Sequence, residues 1–501
     1  MNYTKFTLST TLFIASSLFA AAENSENSST KQAKKPNILF ICVDDLRTEL
    51  GCYGSMVKSP NLDRLAQDGT LFTNHYVQVP TSGASRKSLL TGHLPTDRID
   101  ISNGAAEHKI TPKKEEEVPE TMFHHLRRNG YYTVGIGKIS HSADGRVYGY
   151  NDPVSDILEL PYSWDEMLFN SGKWETGWNA FFGYSDGENR QSMKNQVKPY
   201  ECADCSDTGL PDGLSAELAL QKLDELSDNS EPFCLAVGFF KPHLPFNSPK
   251  KYWDMYDESE IEVSPFKDIP QNISNASLHG SGEFNAYKTG DEAASLSKAV
   301  SDDYARRLRH AYYACVSYTD AQIGKLLSKL EEKGLAENTI VVVWGDHGWN
   351  LGDMNVWGKH TILEPSLRST LIVRSPKGKK GVVNSRIVSS VDIYPTLMEL
   401  CDVDVADGAA LDGKSFATLL NKPKDKNWED AAYSYFKSGY TLRTPQYRLT
   451  HYYRDAKPNI ELFKYNGMDY ERENIAAENS EIVDKLMPLL EKGNTHIYDK
   501  K

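Results

Sequence analysis

Asn37-Ile-Leu-Phe-Ile-Cys-Val43, running straight into Asp44-Asp45, is the stretch that decides the fold. No polar and apolar alternation breaks the run, so it fits a strand buried on both faces, as in a parallel sheet covered by helices. Thr339-Ile-Val-Val-Val-Trp344 repeats the pattern and runs into Gly345-Asp346-His347, and Pro232 to Phe240 reads as a third such strand. Helices are read from Ser59 through Ala66, with Pro60 in the first turn, from Glu120 to Arg128, stopping at Gly130, and from Ser301 to Lys333, ending at Gly334. Tyr131 to Gly137 returns as a strand. Strands alternating with helices predict an α/β layer fold with a mostly parallel sheet.

After Trp428 the character changes. Ala431–Phe436, Tyr440–Thr450 and Ile460–Lys464 read as short aromatic strands and Ser480–Glu491 as a closing helix, which predicts a small antiparallel sheet with a helix. The organisation expected is a signal peptide over 1–22, a disordered linker over 23–35, a catalytic α/β domain over 36–427 and a C-terminal α+β subdomain over 428–501. The first of these rests on Lys5, the apolar stretch Phe6–Ala22 and its Ala20-Ala21-Ala22 ending, and it predicts a periplasmic or secreted protein. No other segment approaches the length of a membrane span.

With 501 residues, 39% hydrophobic and 25% charged, the chain has length for a large core. The formal charge is −13, and loss of 1–22, with Lys5 as its one charge, makes it −14. A broad nucleic-acid or membrane-binding face is excluded on that balance, so an anionic substrate must be drawn by a local cationic pocket. Seven cysteines are too few for a disulfide framework; Cys42 and Cys234 lie inside apolar strands, and Cys202 and Cys205 form either a loop bridge or free thiols.

In open α/β sheets ligands gather at the carboxyl ends of strands. Asp44-Asp45 and Asp346-His347 stand there. Adjacent carboxylates ending a buried strand are costly unless cations neutralise them, and hard oxygen ligands suggest Ca²⁺ or Mg²⁺. The alternative is that Asp45 pairs with Arg47 or caps the next turn. Ser82-Gly-Ala-Ser-Arg86-Lys-Ser-Leu-Leu-Thr-Gly92 reads as a helix closing at Gly92. A hydroxyl at its start lies where backbone N–H groups favour anions, with Arg86 one turn on; the bland reading is a capped helix with an exposed arginine.

The Ser82–Gly92 run resembles the signature of type I sulfatases, in which a Cys or Ser opens the pattern (C/S)-x-(P/A)-x-R. Asp44-Asp-Leu-Arg47, Gly51-Cys-Tyr-Gly54, Ser59-Pro-Asn-Leu-Asp63, Gly137-Lys-Ile-Ser-His141, Lys241-Pro-His-Leu-Pro245, Asp346-His-Gly-Trp-Asn-Leu-Gly352 and Trp357-Gly-Lys359 resemble its iduronate-2-sulfatase-like branch. The resemblance runs from about Pro36 to Lys359 and continues more weakly to the C-terminus. It implies an alkaline-phosphatase-like sandwich and Ca²⁺ held by Asp44, Asp45, Asp346, His347 and a modified Ser82. It also implies a sulfate pocket lined by Arg86, Lys138, His141, His243 and Lys359.

In that family the signature residue is oxidised to formylglycine, and a serine there depends on a radical maturase that works without oxygen. The hydrated aldehyde would attack sulfur, His243 would protonate the leaving alkoxide and His141 would take the proton whose loss releases sulfate. The expected substrate is a sulfated oligo- or polysaccharide, with uronic acid 2-sulfate suggested by the branch. Two other readings stand beside it: a phosphoester or phosphonate hydrolase of the same superfamily, and a non-catalytic sulfated-glycan binder in which Ser82 stays serine. Trp174, Trp178, Tyr184 and Arg190 either contact an acidic sugar or pack a loop.

Overall fold

The structure is a computed structural model that describes residues 35–111, 113–405, 410–465 and 470–499. The signal segment read at 1–22, and the linker up to residue 34, lie outside the described residues.

Eight strands form the main sheet, in the order Val382–Ser389, Thr70–Tyr76, Leu371–Arg374, Thr339–Gly345, Asn37–Val43, Phe233–Phe239, Tyr132–Gly137 and Glu166–Leu168. Every neighbouring pair is parallel except the two made by Leu371–Arg374, which runs antiparallel to both its partners. The apolar run that opened the analysis is a central strand with all seven residues buried. Its side chains alternate between two cores. Leu39, Ile41 and Val43 pack with Leu308, Tyr312 and Ile323 of the 31-residue helix Asp302–Glu332, and Ile38, Phe40 and Cys42 pack with Met122, Phe123, Ile393 and Leu397. Helices thus cover both faces, and a strand buried on both sides has no polar face to show.

Caps set where helices begin. Thr121 accepts a hydrogen bond from His124 N, so the helix read from Glu120 starts at Met122. Ser301 accepts from Tyr304 N and places the start of the long helix at Asp302. Ser82–Thr91 is a helix whose C-cap Gly92 takes a left-handed conformation (φ 67°), as the glycine there requires.

The C-terminal sheet has four antiparallel strands, Ala432–Phe436, Gly439–Arg443, Tyr447–Tyr452 and Ile460–Lys464. The segment read as one stretch from Tyr440 to Thr450 is a hairpin of two of them. The helix Ser480–Glu491 packs on this sheet through Leu486 and Leu490. Residues from Pro36 onward form one unit that includes this sheet. Cys202 and Cys205 are free thiols, as are Cys42 and Cys234, which are buried.

Candidate functional site

Strand register brings the acids together. Val43 lies beside Gly345 in the sheet, so the residues that follow leave the strands side by side; Asp44 N donates to Phe239 O and Asp346 N to Val43 O, both at 3.2 Å. Successive strand residues point to opposite faces, yet Asp44 and Asp45 both reach one site because Asp45 turns the chain with φ 59°. Ligand atoms of Asp44, Asp45, Asp346 and His347 lie within 4.8 Å of one another, and all four residues are buried.

Ser82, in the first turn of its helix, joins this cluster: its Oγ donates to Asp44 Oδ1 at 3.0 Å and lies 3.0 Å from His347 Nε2. Arg86 is fully buried, not exposed, and bridges the carboxylates. Its Nε donates to Asp346 Oδ2 at 3.1 Å, its second terminal nitrogen lies 3.5 Å from Asp44 Oδ1, and the first donates to Lys138 O at 2.6 Å. Lys138 Nζ donates to Asp44 Oδ2 at 2.6 Å and Lys359 Nζ to Asp45 Oδ1 at 3.1 Å. His243 Nε2 lies 3.8 Å from Asp45 Oδ2. His141 follows Lys138 beyond its strand, its ring 5.4 Å from that of Trp178, with a buried Nδ1 that has no hydrogen-bond partner among the described residues. The alternative for Asp45 is not met: Arg47 pairs with Asp353 at 2.8 Å and lies 3.6 Å from Glu49.

Glu283 is the site residue that sequence reasoning missed. Its Oε1 lies 3.0 Å from His243 Nε2, and its carboxylate lies 3.5 Å from Lys359 Nζ. It stands in the segment 272–298, where no periodicity marks any one residue. Trp174, Trp178 and Tyr184 are buried: the Trp174 indole nitrogen donates to Tyr184 O and that of Trp178 to Tyr148 O, and the Arg190 guanidinium lies 3.7 Å from the Phe182 ring centre.

Burial and crowding set the protonation. Burial would raise Asp44, but Lys138, His243 and Arg86 hold it well below the usual carboxylate range. Asp45 is pushed well above that range by burial, which Lys359 opposes and the Asp44 and Glu283 charges reinforce. Burial and the Asp44 charge lift Asp346 to about 7. Burial, with Lys359 adding to it, takes His243 down to about 4 and His347 well below its ordinary value, so both rings are neutral at pH 7. Burial and Lys138 do the same to His141.

This set fits a divalent cation. Three buried carboxylates crowd until two resist ionisation, a neutral imidazole offers a nitrogen, and a cation among them would relieve the repulsion. With all four carboxylates ionised, Glu283 included, they face three fixed cations, Arg86, Lys138 and Lys359, and one negative charge is left unmatched. A divalent ion would turn that into one positive charge, which matches a monoanionic ester.

A family model described as sulfatase matches residues 36–403, and one described as N-sulphoglucosamine sulphohydrolase, C-terminal, matches residues 345–495. Iduronate 2-sulfatase of Mus musculus is 32% identical over 377 residues, 74% of this chain; the match spans 64% of the mouse protein's length. A sulfatase of Formosa agariphila is 28% identical over 449 residues, 84% of this chain and 80% of that one. Among solved structures, a phosphonate monoester hydrolase from Silicibacter pomeroyi shares the fold, with a TM-score of 0.70 at 22% identity, covering 93% of this chain and 97% of the other.

Proposed function

The chain belongs to the sulfatase family, and we propose on that premise that it removes O-sulfate from a sulfated carbohydrate through a formylglycine made from Ser82. The observation that carries the reading is the position of Ser82 Oγ, 3.0 Å from both Asp44 and His347, inside a buried set of acids ringed by Arg86, Lys138 and Lys359. The pocket's charge, one positive once a divalent cation is bound, favours a monoanionic sulfate ester over a dianionic phosphomonoester. Similarity to iduronate 2-sulfatase supports uronic acid 2-sulfate as the substrate class.

Asp44, Asp45, Asp346 and His347, with the modified Ser82, would hold Ca²⁺ or Mg²⁺, which supplies charge stabilisation to the sulfate oxygens. Oxidation of Ser82 by a radical maturase removes two hydrogens, and the hydrated aldehyde offers one hydroxyl to attack sulfur and a second whose deprotonation releases sulfate. Arg86 fixes the helix start against Asp44 and Asp346, so the nucleophile is aimed before substrate arrives. Lys138 and Lys359 face the oxygens on which charge develops. His243 gives the sugar alkoxide its proton; Glu283 favours the protonated ring, and a sulfate oxygen that takes up the charge of Lys359 removes the main electrostatic opposition to it. The neutral His141 ring is in the state that accepts a proton.

The apolar stretch Phe6–Ala22 supports export to the periplasm or beyond. No helix among the described residues is long and apolar enough to cross a membrane.

The test is sulfate release from a panel of sulfated disaccharides by protein made in a host that oxidises Ser82, with Ser82→Ala as control. Release from at least one uronate 2-sulfate, absent in Ser82→Ala, is expected. Release from none, with turnover of a phosphonate monoester instead, would transfer the chain to that chemistry.

A further inference from the structure

Beside the sulfate pocket lies a cleft of about 230 Å³, lined by His360, Phe436, Lys437, Tyr452, Arg454 and Ser277 among others. It shares a wall with the catalytic groups. Lys359 O accepts a hydrogen bond from His279 Nε2 at 3.3 Å, and His360, the next residue, stacks on Phe436 with ring centres 5.4 Å apart and planes 10° from parallel. Lys359 therefore faces the carboxylates while His360 faces the C-terminal hairpin.

The charge in this cleft is unbalanced. Lys437 sits in the two-residue turn between strands Ala432–Phe436 and Gly439–Arg443, with φ 52°, a conformation that Asn or Gly adopts at less cost. Among the described residues its ammonium donates only to Leu278 O, at 3.4 Å, and has no carboxylate within salt-bridge distance. Arg454 also lines the cleft; it lies 3.2 Å from Glu461 Oε1 and donates to Ser277 Oγ at 2.8 Å, and that hydroxyl in turn donates to the same Glu461 oxygen at 2.6 Å. Burial and the Arg454 charge both work against the Lys437 proton, and burial lowers His279 and His360, with Lys437 adding to it. Lys437 is exposed at the rim of the cleft, where it stands beside the Arg454 charge with no carboxylate partner among the described residues and is open to an incoming anion.

We propose that this cleft is a second anion subsite, in which Lys437 and Arg454 receive a carboxylate or sulfate carried by the substrate beside the ester that is cleaved. The inference rests on the sulfatase reading and deepens it, because it makes the C-terminal hairpin a determinant of substrate choice. At a liquid share of about 30 Å³ per water, the cleft holds a hydrated anionic group rather than a stretch of polymer.

The experiment compares wild type with Lys437→Gln and Lys437→Arg on three substrates: 4-nitrophenyl sulfate, with no second anion, a sulfated disaccharide whose other anion is a carboxylate, and one whose other anion is a sulfate. Lys437→Gln should raise KM about tenfold on whichever disaccharide matches the subsite, with kcat little changed and 4-nitrophenyl sulfate unaffected, and Lys437→Arg should restore it. Equal change on all three substrates, or none, overturns the subsite. If wild type turns over no sulfate ester, the sulfatase reading fails by itself. Calorimetric titration of the same disaccharides then decides the subsite: tenfold weaker binding by Lys437→Gln sustains it, and equal or absent binding overturns it.

Discussion

His243 and Glu283 show how much of the chemistry rests on single side chains. The ring is neutral in the substrate-free protein, with its pKa at about 4, and its Nε2 hydrogen bond to Glu283 is the contact that favours protonation. A proton donor matters in proportion to the basicity of the leaving group. His243→Ala should therefore lower kcat on a sugar sulfate by about 10²–10⁴-fold and leave 4-nitrophenyl sulfate, whose phenolate leaves unaided, within a few-fold of wild type. A uniform loss on both substrates would remove His243 from that role. The sequence made His243 visible through its proline frame and motif. It left Glu283 hidden because an acid in an irregular loop has no pattern to set it apart from its neighbours, and only the folded chain brings it to Lys359.

At the scale of elements, a buried carboxylate of the main body, Glu364, neutralises two arginines of the C-terminal sheet. Arg443 and Arg448 lie directly opposite each other on paired strands, an arrangement of like charges that opposes pairing. Glu364 resolves it: Oε2 accepts from Arg448 at 2.5 Å and Arg443 Nε at 3.3 Å, while Oε1 accepts from Tyr76 OH at 2.7 Å. Burial opposes its charge, yet Arg443, Arg448 and Arg368 hold it down to about 2. Glu364→Gln strips a buried pair of its anion and should cost about 3–5 kcal/mol, read as a lower denaturant midpoint. A midpoint equivalent to less than about 1 kcal/mol of change would mean that Glu471, 2.8 Å from Arg448 Nε, carries the linkage alone. The strands themselves were legible because burial on both faces leaves continuous apolar runs, as in Asn37–Val43 and Thr339–Gly345. Leu371–Arg374 was not read: four residues give no period to detect, and its antiparallel direction is set by its partners.

Over the whole molecule, the acid cluster couples stability to metal and pH. Asp346 is lifted to about 7 and Asp45 lies well above its ordinary value, so between about 4 and 7 the metal-free fold holds protons there that the unfolded chain has released. The stability from those protons is present at low pH and lost as pH rises through about 7, while the shift of Asp44, in the opposite direction, acts only below about 4. Ca²⁺ competes with the same protons. The increment in Tm on adding Ca²⁺ should therefore grow from pH 5 to pH 8, reaching about 2.7 kcal/mol of stabilisation at a hundredfold excess over Kd. Taking the difference with and without Ca²⁺ at each pH cancels the other buried histidines, which titrate in both samples. An increment independent of pH, or none, would place the ion elsewhere. Asp44, Asp45, Asp346 and His347 could be picked out from sequence because two strands end in acids. Their convergence is a matter of register, and it needed the sheet order and the positive φ of Asp45.

The account turns on the chemical state of one residue, and mass spectrometry of the tryptic peptide Leu65–Arg86 from protein that releases sulfate reads it directly. The prediction is a peptide lighter by two hydrogen atoms at Ser82, or its hydrate. An intact serine in protein with full sulfate-releasing activity would contradict it.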